Sequence, residues 1–197
     1  MRTFIAISIP EFLRAAIGGI QERLKTHRLE IRWVRPDAIH LTLKFLGDIR
    51  PSDREAISSA MTASVKNLAP IRLAARRIGV FPNLRQPRVL WIGIADSSGV
   101  LADLYERLQE ALGAIGFQKE NRPFQGHLTL GRAKGRIDPN RLYAAIEEFQ
   151  NFRSEPFVAD RIALYRSELK PSGAVYTELV SIPLTQAARR IEENERG

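Results

Sequence analysis

The chain has 197 residues, 44% of them hydrophobic, which is enough for a buried core in one domain or in two small, intimately packed halves. It has no cysteine, which excludes a disulfide framework, a thiolate metal site and a cysteine nucleophile. A formal charge of +8 favours polyanions such as nucleic acid, nucleotides or an anionic membrane surface, although a solvated basic surface without a specific partner has the same balance.

Residues 3–9 alternate and are rich in Phe and Ile, which predicts a strand closed by Pro10. This opening run is short and is followed by Glu11, unlike a signal peptide, so a soluble, cytoplasmic protein with no membrane role is expected. Apolar residues at Leu13, Ala16, Ile17, Ile20 and Leu24 predict a helix over 11–26. Strands are expected at 31–34 and 39–46, then a helix from Pro51 to about Val65 with Ser52 or Asp53 as its cap. The stretches 71–80 and 88–95 read as two strands joined by the turn-rich FPNLRQP. A helix over about 98–113 ends at glycines, a strand holds His127, and Asp138 caps a helix over about 139–149. Strands at 157–165 and 174–182 flank the loop SELKPSG, and the charged tail 186–197 is read as a frayed helix. Few βαβ units occur in this order, so an antiparallel α+β arrangement is expected over a doubly wound parallel sheet.

Two of the three histidines lie in one repeated pattern, RPDAIHLTLKF from Arg35 and RPFQGHLTLGR from Arg122, offset by 87 positions. A second HLTL arises by chance with probability on the order of one in a thousand, so the repeat predicts two related lobes with one HLTL strand each. Strand alternation puts His40, Thr42 and Lys44 on one face and Leu41, Leu43 and Phe45 on the other. It likewise groups His127, Thr129 and Gly131 in front of Leu128 and Leu130. Each motif is an imidazole beside a hydroxyl on an apolar backing.

If a pseudo-twofold axis relates the strands, both polar faces meet in one cleft, an arrangement suited to phosphoryl transfer. One neutral imidazole can act as general base and one protonated imidazole as general acid. Thr42 and Thr129 can donate hydrogen bonds to phosphate oxygens, while Arg132 and Lys44 can neutralise phosphate charge. Strict alternation sends Arg132 to the wrong face, so its role needs a bend near Gly131. A duplicated but purely structural strand stays open as an alternative. A metal site has a thin ligand set, and His27 reads as an exposed residue at a helix end.

At these residues the chain resembles the two-histidine phosphoesterase superfamily, and within it the RNA 2',3'-cyclic phosphodiesterases, also named 2'-5' RNA ligases. The resemblance runs through MRTFIAISIP, WVRPDAIHLTLKFLGDI, RPFQGHLTLGRA and LYRSELKPSGAVYTEL, nearly the whole chain. It departs from the family pattern at Gly126, where proline commonly precedes the second histidine. The resemblance implies a single bilobal domain over 1–197, with two pseudo-symmetric lobes of antiparallel sheet, outer helices and a central cleft. It implies cofactor-free, metal-independent hydrolysis of a 2',3'-cyclic phosphate on RNA ends or oligonucleotides to a 2'-phosphate, by a protein expected to be monomeric. In that picture His127 activates water, His40 protonates O3', and Thr42, Thr129 and Arg132 hold the phosphate; the two histidines exchange roles in the reverse, ligating direction. Phe45 and Phe124 are candidates to stack on a base, with Trp33, Trp91 and Tyr176 equally ambiguous between stacking and core. A 2'-5' ligase, another cyclic phosphate substrate and a basic RNA-binding module without turnover are the competing readings.

Overall fold

Alternating and helical periodicities build nine strands and four helices in a computed structural model that describes residues 1–171 and 173–185. In chain order these are β1 (Arg2–Ser8), α1 (Glu11–Lys25), β2 (Ile31–Trp33), β3 (His40–Asp48), α2 (Arg54–Val65), β4 (Ile71–Phe81) and β5 (Val89–Asp96). There follow α3 (Val100–Ala114), β6 (His127–Ala133), α4 (Pro139–Glu148), β7 (Phe157–Ala159), β8 (Arg161–Lys170) and β9 (Gly173–Pro183). Every strand pairing is antiparallel.

The strands join in one sheet in the order β7-β4-β5-β6-β3-β1-β8-β9, and β2 lies off this path, pairing with the end of β6 at Gly131, Arg132 and Ala133. The order is a palindrome in space: β6 and β3 form the centre, β5 and β1 flank them, and β4 and β8 come next. At the centre Leu41 pairs with Leu128, two residues separated by the same 87 positions as the histidines. Equivalent residues oppose each other only on a twofold axis, so a pseudo-twofold axis passes through this pair.

One face of the sheet is apolar and is covered by the helices. Leu13, Ile17, Ile20 and Leu24 of α1 and Leu101, Leu104, Leu108 and Leu112 of α3 are all buried, at the spacing of a single helical stripe. They join a core that includes Leu41, Leu43, Leu128 and Leu130. Asp138 caps α4 as expected, its carboxylate accepting from Asn140 N at 2.9 Å. Before α2 the chain makes a 3-10 turn over Pro51–Asp53, in which the Asp53 carboxylate accepts from Arg50 N at 2.9 Å.

Two expectations need correction. The single strand expected over 157–165 is two strands, with only Asp160 between them, on opposite sides of the sheet: β7 pairs with β4 and β8 with β1. One residue spans only about 4 Å per step, so the two sides converge there and the sheet must curl. The loop expected over 167–173 is mostly strand, because β8 runs to Lys170 and β9 starts at Gly173. Its apolar residue Leu169 is 90% exposed, so no buried face produced the usual alternation signal. The tail 186–197 lies outside the described residues. Among the described residues no helix is long and apolar enough to cross a membrane.

Candidate active site

The polar faces of β3 and β6 open into the hollow of the curled sheet. Continued one residue each way, the Leu41–Leu128 register sets His40 opposite Thr129 and Thr42 opposite His127. Directly opposed residues in an antiparallel pair share a face, so each imidazole stands beside the hydroxyl of the other motif.

Both motif strands then break alternation at the same place. Ile5 pairs with Lys44 but Ala6 with Thr42, leaving Leu43 unpaired as a bulge. Leu90 pairs with Gly131 but Trp91 with Thr129, leaving Leu130, the equivalent residue, as a second bulge. An inserted residue keeps two successive side chains on one face and inverts the order beyond it. Leu43 and Lys44 therefore both point into the core and Phe45 into the hollow; Leu130 and Gly131 face the core and Arg132 the hollow. The Leu130 bulge is held from below: its carbonyl accepts from Gln21 Nε2 at 3.0 Å and from Val34 N at 2.9 Å.

This corrects the position expected for Lys44. Its side chain is 3% exposed and donates to Gln109 Oε1 and to the Gln118 carbonyl, each at 2.6 Å, on the helix side of the sheet. Burial lowers its pKa, partly opposed by Glu120. Gly131, at the equivalent position, has no room for a side chain, since a Cβ there would lie 2.4 Å from Ile31 Cγ2. We expect Lys44→Met to leave turnover unchanged and to cost about 1–3 kcal/mol in urea unfolding, because the buried Gln109 Oε1 and the part-buried Gln118 carbonyl lose a donor. A large fall in turnover with unchanged stability would contradict this placement.

The two imidazoles have matching geometry. His40 Nδ1 lies 2.9 Å from the Ala38 carbonyl and His127 Nδ1 lies 2.7 Å from the Gln125 carbonyl, the acceptor two residues back in each case. A carbonyl can only accept, so each Nδ1 holds the hydrogen and each Nε2 is the atom that takes or gives a proton. His40 stacks on Phe4 with ring centroids 4.5 Å apart and meets Tyr176 edge-on at 5.1 Å. His127 meets Phe81 edge-on at 4.9 Å and has Trp91 at 6.4 Å.

Burial pushes the His40 imidazole down to about 4; its bond to the Ala38 carbonyl opposes this, and His127 adds to it. His127 is also lowered, by burial and by the nearby Arg132 guanidinium. Both imidazoles of the free protein are therefore mostly neutral at pH 7. Folding favours neutral His40, so its contribution to stability is complete above about pH 6.5 and is lost as the pH falls towards 4. The drop from 6.5 to about 4 corresponds to roughly 3 kcal/mol at about 1.4 kcal/mol per pH unit. Urea unfolding at pH 7.5 and pH 4 should show this loss in the native chain and a smaller one in His40→Gln; equal losses would refute it.

The hollow beside His40 is a cavity of about 240 Å³ lined by Thr42, Phe45, Thr129 and Arg132, and also by Arg2, Phe4, Ser167, Leu169 and Tyr176. The first four lie within the motifs. Phe45, 59% exposed, is not the core residue that alternation predicts. Arg2, Phe4, Ser167 and Leu169 come from β1 and β8, and only the strand pairing, invisible in the local sequence, brings them to the histidine. Phe124 does not reach this cavity: it stacks on Tyr105 of α3 at 4.3 Å, packed against the core. Gly126 is also packed, since a Cβ there would meet Ile94 Cβ and Leu101 Cδ2 at 3.4 Å. Arg35 pairs with Asp37 at 2.9 Å, in keeping with a turn role. His27 is not freely exposed; its Nε2 lies 2.6 Å from Glu148, joining the end of α1 to α4. Among the described residues no three carboxylate, imidazole or thiolate side chains converge as a metal site would require.

The LigT-like phosphoesterase family model matches the chain twice, over residues 7–91 and 92–176, once for each HLTL motif. The RNA 2',3'-cyclic phosphodiesterase of Methanothermobacter thermautotrophicus is 34% identical over 179 residues, which cover 91% of this chain and 96% of that protein. A Thermus thermophilus protein of the same name is 35% identical over 195 residues, covering 93% and 90%. Among solved structures, one of a Thermus thermophilus protein has a TM-score of 0.76 at 29% identity, covering 93% of this chain and 98% of its own. Escherichia coli LigT complexed with 3'-AMP has a TM-score of 0.73 at 26% identity, covering 94% and 98%.

Proposed function

The chain belongs to the LigT-like phosphoesterase family, and from that premise we propose that it is an RNA 2',3'-cyclic phosphodiesterase. In this reading it is a single two-lobed unit, working as a cytoplasmic monomer on RNA ends or oligonucleotides. The observation that carries the proposal is the pair of imidazoles with the same tautomer, each set by register beside the threonine of the other motif.

The nucleoside bearing the cyclic phosphate occupies the cavity of His40, with Phe45 and Tyr176 available to its base. Its O3' then lies on the His40 side, and water attacks phosphorus in line from the His127 side. His127 Nε2 takes a proton from the water as the new P–O bond forms. The P–O3' bond breaks, and His40 Nε2 gives its proton to O3'. The product is a 2'-phosphate with a free 3'-hydroxyl. Thr42 and Thr129 donate to the non-bridging oxygens, and Arg132 offsets the charge that builds on them. In the free protein His40 is neutral at pH 7, so it gains its proton with substrate, whose phosphate anion favours the imidazolium.

Phosphorus NMR of a nucleoside 2',3'-cyclic phosphate incubated with the protein in EDTA tests the proposal. The 2'-phosphate is the expected product, at a rate EDTA leaves unchanged. A 3'-phosphate product, or loss of activity in EDTA, would overturn this mechanism, and RNA binding without turnover would favour the binding-module reading.

A further inference from the structure

The mechanism uses one cation of the catalytic hollow and leaves another unassigned. Arg2 of β1 lines the hollow together with Arg132. It is exposed and forms no ion pair among the described residues; the carboxylate opposite it on β3, Asp48, lies 3.5 Å from the Met1 amino group instead. A cyclic phosphodiester carries a single negative charge, which Arg132 meets, so a second unpaired guanidinium in the same hollow calls for a second anion.

Register shows what stands beside it. Thr3 pairs with Arg166, and the next step sets Arg2 opposite Ser167, which itself pairs with Tyr176 of β9. Opposed residues of antiparallel strands share a face, so a guanidinium, a hydroxyl and a phenol form one row across β1, β8 and β9, and all three line the hollow. The neighbouring row is aromatic: Phe4 stacks on Tyr165 at 5.4 Å and on His40 at 4.5 Å. Two residues of strand separate the rows by about 7 Å, which leaves room for one ribose between an anion at Arg2 and the phosphorus beside His40. Tyr176 touches both rows. Its ring meets Phe4 edge-on at 5.0 Å, and Arg132 and Arg2 both oppose the rise that burial gives its pKa, so the phenol stands near both cations.

The other lobe lacks this cation. The pair Phe4–Phe45 corresponds to Val89–Arg132, because Phe45 and Arg132 follow the two bulges at the same place. Where Arg2 stands two residues before Phe4, Pro87 stands two residues before Val89. The asymmetry puts the free cation on the His40 side, the side assigned above to the nucleoside bearing the cyclic phosphate. A cyclic phosphate closes the 3' end of an RNA strand, so the rest of the strand leaves through the 5'-oxygen of that nucleoside, and the next anion is the phosphate on that oxygen. We propose that Arg2 and Ser167 bind this 5'-phosphate, so that the protein prefers RNA strands to free nucleoside cyclic phosphates; the inference rests on the phosphodiesterase reading above. The guanidinium forks onto two phosphate oxygens, and the Ser167 hydroxyl donates a further hydrogen bond. Neither group touches the reacting bonds, so the pair sets specificity and leaves the chemistry to the two motifs.

Three substrates that differ only at the 5'-oxygen test this: adenosine 2',3'-cyclic phosphate, its 5'-phosphorylated form, and the adenylyl-(3'-5')-adenosine dinucleotide ending in the same cyclic phosphate. The native chain should hydrolyse the second and third with about tenfold higher kcat/KM than the first, and the preference should shrink as salt is raised. Arg2→Met should bring both ratios within about threefold of one, Ser167→Ala should lower them less, and Arg2→Lys should restore part of the preference. Three results would overturn the subsite: a native chain that turns over all three substrates alike, a preference confined to the 5'-phosphomonoester, or ratios that neither Arg2→Met nor Ser167→Ala changes. An Arg2→Met chain with the native melting temperature that loses activity equally on all three would also overturn it, by placing Arg2 at the reacting phosphorus. Failure of the native chain to hydrolyse any of them instead removes the functional reading on which the subsite rests.

Discussion

Replacing either imidazole, in His40→Ala or His127→Ala, should lower kcat for cyclic phosphate hydrolysis by two to four orders of magnitude, the usual contribution of a positioned acid or base. The double variant should fall little further, because one proton transfer without the other leaves either unactivated water or an unprotonated leaving group. Additive losses would mean that the two groups act independently, contrary to a shared phosphorus centre. The pH dependence gives a second readout. Both imidazoles are depressed in the free protein, His40 to about 4, so kcat/KM should peak below pH 6.5 and fall as the pH rises and the acid loses its proton. The profile of kcat, which reports the complex, should lie at higher pH, because the bound phosphate anion favours both imidazolium forms. Profiles centred at the same pH would show that the substrate does not perturb the histidines.

Much of this site is legible in the sequence because it depends on local rules. HLTL gives two pairs of polar residues on apolar backings, and the burial of Leu41, Leu128 and Leu130 against exposed or half-exposed His and Thr follows directly. The Asp138 cap and the glycine at the end of α3 are equally local. What the sequence hides is the bulge. Nothing in HLTLKF or HLTLGR marks Leu43 or Leu130 as an extra residue, since a bulge is a relation between two strands. Alternation therefore assigns Lys44 to the cleft and Phe45 to the core, and the structure reverses both. The Phe124 position fails for a related reason: its partner Tyr105 lies on α3, and helix-to-loop stacking has no local signature. The division at Asp160 is hidden likewise, because Phe157–Ala159 and the following strand share one apolar pattern while pairing on opposite sides of the sheet.

Arg132→Met should lower kcat by about two to three orders of magnitude, the usual cost of removing a group that meets charge as it develops. Phe45→Ala, at the equivalent position of the other motif, should instead raise KM several-fold with kcat nearly unchanged. The equivalent bulges turn both side chains into the same hollow, so the pseudo-twofold places a cation on one side of the phosphorus centre and an aromatic ring on the other. A cation interacts more strongly with the transition state than with the ground state, whereas a stacking ring holds the base equally in both. Arg132→Lys should recover only part of the loss, because a single ammonium replaces a planar fork that can bond two phosphate oxygens at once. Gln21→Leu tests the bulge itself: Gln21 touches neither substrate nor histidine, but its amide supports the Leu130 carbonyl at 3.0 Å. If that support aims Arg132, the variant should lose kcat in the direction of Arg132→Met, and combining the two should cost little more than Arg132→Met alone. A Gln21 variant that is less stable but turns over at the native rate would show that the bulge keeps its shape without the glutamine.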